Sequence, residues 1–66
     1  MNLVELKKIA VQLIEKYPAL KTEIVELYQL AVDEVEEGGS EMHESHLSYQ
    51  DMMNLVDEYN EDQKSK

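Results

Sequence analysis

The segment Glu41-Met42-His43-Glu44-Ser45-His46 carries the side chains best suited to metal chemistry. His43 and His46 are three residues apart, so on a helix they are neighbours. Two imidazoles joined by a carboxylate folding back from Glu37 or Asp33 would suit Zn or a similar divalent ion. The spacing is not specific. The HExxH protease pattern needs three residues between its histidines, and here there are two. His46 also falls at the edge of an apolar face, where capping the core is a competing role. His43, His46 and Glu37 are therefore the metal candidates, and no cofactor is expected.

A second constellation joins leucines to acids. Glu23, Glu26, Asp33 and Glu37 surround Leu30 off the apolar face of one helical segment. On the next, Glu44, Asp51 and Glu58 share the outward side with Leu47 and Leu55. A leucine ringed by carboxylates suits a partner with a basic, partly apolar surface. Scattered surface leucines are the competing explanation. Val4 and Val11, seven apart and off the main face of the first segment, could form a homodimer seam.

Catalysis finds little footing. Gly38-Gly39-Ser40 follows a helix and lacks the Lys of a phosphate loop. A paired-carboxylate acid–base site needs a concave, desolvated pocket, which a small bundle seldom has. The expectation is that the protein is not an enzyme.

Three amphipathic helices must position these residues. The first spans about 3–16, with Asn2 as N-cap and Glu5 in capping-box position. Leu3, Leu6, Ile9, Ala10, Leu13, Ile14 and Tyr17 fall on one face at about 100° per residue. Pro18 ends it and suits the first turn of the second helix, about 18–37. That helix has a broad apolar face from Leu20 to Val35, wide enough to pack two neighbours. Gly38-Gly39 stops it.

Ser40 caps the third helix, about 41–59, whose expected apolar face is Met42, His46, Tyr49, Met52, Met53, Val56 and Tyr59. Ser48 with Asp51 resembles a second capping box, so a break near Leu47-Ser48 competes with an unbroken helix. The unbroken form is preferred because the apolar face keeps phase. Residues 60–66 read as a flexible polar tail. The fold expected is all-α: a small antiparallel three-helix bundle forming a single domain over 1–59.

Charge and size bound what such a bundle does. The chain has 66 residues, a formal charge of -9, no Cys and no Arg. Between Lys21 and Lys64 it carries thirteen carboxylates and no Lys. This field repels nucleic acid and anionic membrane and attracts basic partners. The lysines are too few for direct nucleic-acid binding and are expected to pair with acids elsewhere in the bundle. No apolar run of about 18 residues suggests a membrane span. Met1 to Tyr17 is amphipathic and charged, unlike a signal peptide, so a cytoplasmic location is expected. Acids Asp33, Glu34, Glu36 and Glu37 crowd the C-terminal end of the second helix, against the helix dipole.

In size and composition only, the chain resembles small acidic helical proteins of bacterial and bacteriophage genomes, which supports no functional residue. The leading expectation is a protein–protein interaction module or regulator. Its surface would comprise Glu23, Glu26, Leu30, Asp33, Glu37, Leu47, Asp51, Leu55 and Glu58. A nucleic-acid mimic that occupies a basic groove is the alternative, and divalent-metal binding at the hairpin tip a lesser one.

Overall fold

A computed structural model describes residues 1–64. Three helices, α1 (Leu3–Lys16), α2 (Lys21–Glu36) and α3 (Glu41–Lys64), form a small all-α bundle, each packed against the other two. Sequential helices run antiparallel, so α1 and α3 point the same way. The long axis measures 43 Å and the two short axes 17 Å. At 1.5 Å per residue α3 is about 36 Å long, against about 21 Å for α1.

The core is built from Leu6 and Ala10 of α1, Leu20, Ile24 and Ala31, and Met52 and Val56 of α3. Leu6, Ile24 and Met52 are fully buried, one from each helix, and mark its centre. Tyr17 and Tyr59 close one end edge-to-face, with ring centroids 5.7 Å apart. The Asn60 amide donates to the Tyr17 hydroxyl at 3.5 Å. The final turn of α3, 61–64, is exposed beyond this contact.

Local chemistry sets the helix ends. The Asn2 side chain accepts from the Glu5 backbone N–H, as an N-cap does. At the other end of α1 the chain does not pass directly into an α-helix. Pro18–Leu20 forms a single 3-10 turn, with the Leu20 N–H donating to the Tyr17 carbonyl, and α2 begins at Lys21. The second helix is therefore three residues shorter at its start than expected. Pro18 still opens the turn, where its missing N–H costs nothing.

The glycine pair makes a Schellman ending. Gly38 donates to the Val35 carbonyl and Gly39 to the Glu34 carbonyl, both about 3 Å long. Gly38 has φ +105°, a conformation that L side chains rarely adopt. A Cβ on Gly39 would lie 2.8 Å from the Glu34 carbonyl oxygen. Both positions need glycine, for different reasons.

Helix α3 bears out its preferred continuity and corrects two other expectations. It is unbroken through Leu47-Ser48. It also continues past Tyr59 to Lys64, so residues 60–64 are helical rather than a tail. Residues 65 and 66, the rest of that expected tail, lie outside the described residues. Its buried face is also rotated in the first half. Ser45 and Ser48, seven and four residues before Met52, are buried, whereas Met42 and His46 are exposed. The Ser48 hydroxyl donates to the Leu27 carbonyl of α2 at 2.9 Å. A hydroxyl this short reaches a neighbouring helix backbone only where the two helices lie close, and small side chains at the contact permit that. Ala31 on α2 is buried as well.

Candidate functional site

The outer junction of α2 and α3 is a shallow groove with a volume of about 470 Å³. Its apolar surface comes from Leu27, Leu30 and Leu55. Helical spacing explains the arrangement. Glu23, Glu26 and Leu30 are three and four residues apart on α2, and Asp51, Leu55 and Glu58 are four and three apart on α3. Each helix therefore turns a row of acids and leucine to the same side. The close approach of α2 and α3 at Ser48 brings the rows together as one surface.

The three leucines differ in burial. Leu27 and Leu55 are half-buried and pack against the core from outside, while Leu30 is 55% exposed. The core contact of Leu55 corrects the expectation of a purely outward leucine. The four bordering carboxylates, Glu23, Glu26, Asp51 and Glu58, are all exposed. Among the described residues no cation lines the groove, and Asn54 is the remaining polar side chain.

Of the nine expected interaction residues, the groove brings together Glu23, Glu26, Leu30, Asp51, Leu55 and Glu58. The other three lie elsewhere. Asp33 accepts from the Gln29 side-chain amide at 3.0 Å. Glu37 is the C-cap of α2 and its N–H donates to the Asp33 carbonyl. Leu47 is exposed on α3 outside the groove. Two groove residues were absent from the sequence expectation. Leu27 falls within the broad apolar face of the second helix, so its spacing points to the core alone. Asn54 carries no charge or apolar surface to attract notice, yet it sits three residues after Asp51 and four before Glu58.

The metal candidates do not converge. Among the described residues no group of three or more His, Asp and Glu side chains is placed to hold an ion. His43 and His46 are both exposed, and His46 Nε2 lies 3.2 Å from the Gln50 side-chain nitrogen. His46 does not cap the core. Part of the acidic tip has a structural role instead. The Glu41 carboxylate accepts from the Leu3 backbone N–H at 2.9 Å, across 38 residues of sequence. An acid at that position satisfies an otherwise orphaned donor and opposes the positive end of the α1 dipole.

No helix among the described residues is long and apolar enough to cross a membrane. The fold and groove together define a small three-helix bundle with an acid-rimmed apolar surface. Compared with known proteins, the chain matches no family model, no curated protein and no solved structure.

Proposed function

We propose that this protein is an interaction module whose α2–α3 groove receives a cationic amphipathic helix of a protein partner. The observation that carries the reading is Leu30: a large apolar side chain, 55% exposed, in a groove bordered by four acids and, among the described residues, no cation. Recognition of a helix in a groove uses apolar anchors at i, i+3 or i+4, and i+7. Leu27, Leu30 and Leu55 offer the complementary surface. Burial of the anchors supplies affinity. The exposed carboxylates steer encounter and fix orientation, and add little affinity of their own.

The apolar surface separates this reading from nucleic-acid mimicry. A phosphate mimic needs dense rows of charge, about one per 1.7 Å of axis for B-DNA. It has no use for exposed leucine within its charged face. Binding rather than catalysis also suits the geometry, because every groove carboxylate is exposed and none is desolvated for acid–base work.

A synthetic Leu–Lys amphipathic peptide is a direct probe. The expected result is binding that weakens about tenfold or more on Leu30→Asp, the loss of one apolar anchor. Circular dichroism of the variant should be unchanged, since Leu30 lies outside the core. Equal binding by the folded variant would refute the groove as the site.

A further inference from the structure

The groove has a chemical counterpart on the same chain. Val4 and Val11 of α1 are 63% and 47% exposed, two turns apart on one face, with Lys7 and Lys8 between them. They border a shallow depression of about 420 Å³ formed by α1 alone. Among the described residues neither Lys7 nor Lys8 makes an ion pair, contrary to the expectation that the lysines pair within the bundle. Gln12 and Glu15 complete its lining, so this surface is apolar with two cations and one carboxylate, where the groove is apolar with four carboxylates.

The two surfaces also match in length. Val4 to Val11, Glu23 to Leu30 and Asp51 to Glu58 each span eight residues, seven steps and about 10 Å of helix. They share no residue, since the groove is lined by α2 and α3 only. One chain can therefore present both at once.

Resting on the reading of the groove given above, we propose that its occupant is α1 of a second copy of this chain. The Val4–Val11 stripe lies along Leu30, and Lys7 and Lys8 face the bordering carboxylates. Such a contact is heterologous: each copy uses its stripe on one neighbour and its groove on another. Whole-molecule repulsion between chains of formal charge -9 opposes it. At 0.15 M salt the Debye length is about 8 Å, so charges across the 17 Å width of the bundle are screened while those in contact still attract. Self-association should accordingly be weaker at low salt than at 0.15 M.

Sedimentation equilibrium of the full chain at 0.15 M salt, up to about 1 mM, tests this, 1 mM being a Kd that marks weak association. Two variants that leave net charge unaltered complete the experiment: Leu30→Gln in the groove, and Val4→Gln with Val11→Gln on the stripe. All three positions are exposed, and circular dichroism checks folding. Wild type should gain mass with concentration, and each variant alone should associate about tenfold or more weakly. An equal mixture should associate again, because one variant keeps its stripe and the other its groove, and it should stop at two chains. A monomeric wild type, or a mixture no better than its components, overturns the proposal. If wild type is monomeric yet binds the Leu–Lys peptide, self-association alone falls; if the peptide also fails to bind, the groove reading falls with it.

Discussion

Ser45 and Ser48 face the same interior from successive turns of α3 but differ in hydrogen bonding. Ser48 donates to the Leu27 carbonyl, whereas the buried Ser45 hydroxyl has no partner among the described residues. Removing a satisfied hydroxyl typically costs about 0.5–1.5 kcal/mol, while removing an unsatisfied one relieves a desolvation penalty. Ser48→Ala should therefore lower stability by about 1 kcal/mol, and Ser45→Ala should leave it equal or raise it; urea unfolding of both variants checks the contrast. Gly38 offers a second residue-scale test. Gly38→Ala places a Cβ on a backbone of φ +105° and should cost about 1–2 kcal/mol. In a domain this small, where a single core rarely provides more than about 3–5 kcal/mol, that loss should be evident as a lower urea midpoint.

At the scale of elements, periodicity made α1 and most of α2 legible. Their apolar residues recur at helical spacing, and Asn2, Pro18 and the glycines punctuate them. The first half of α3 is not legible in the same way, because its inward positions hold Ser45 and Ser48, which carry no hydropathy signal, while the exposed Met42 and His46 keep the apolar phase. The serine at Ser48 that suggested a second helix start is instead a contact to α2. Small polar side chains at a close helix crossing are decided by tertiary packing, so single-chain periodicity cannot reveal them. Continuity of α3 makes its own prediction. Backbone amides of 47–50 should show hydrogen-exchange protection comparable to those of 52–56, as one cooperative helix requires. Protection that collapses at Leu47-Ser48 would point to two pieces.

For the whole molecule, the pattern of charge matters more than the total of -9. Six of the nine residues expected to bind a partner are gathered in one groove because their spacing on α2 and α3 was already visible in the sequence. Asp33, Glu37 and Leu47 fall outside it, because only the packing of the two helices decides which outward residues meet. The metal candidates failed to converge for the same reason: neighbouring histidines on a helix need a third ligand from elsewhere, and the fold provides none among the described residues. The most direct measurement of the central claim is a titration of isotope-labelled protein with the Leu–Lys amphipathic peptide, followed by amide chemical shifts. The expected perturbations concentrate at Leu27, Leu30, Asn54 and Leu55 and at the bordering acids, and a scrambled peptide of equal charge produces much smaller ones. Shifts spread evenly over all acidic segments, including 33–37 at the hairpin tip, or equal for both peptides, would contradict a groove that recognises an amphipathic helix.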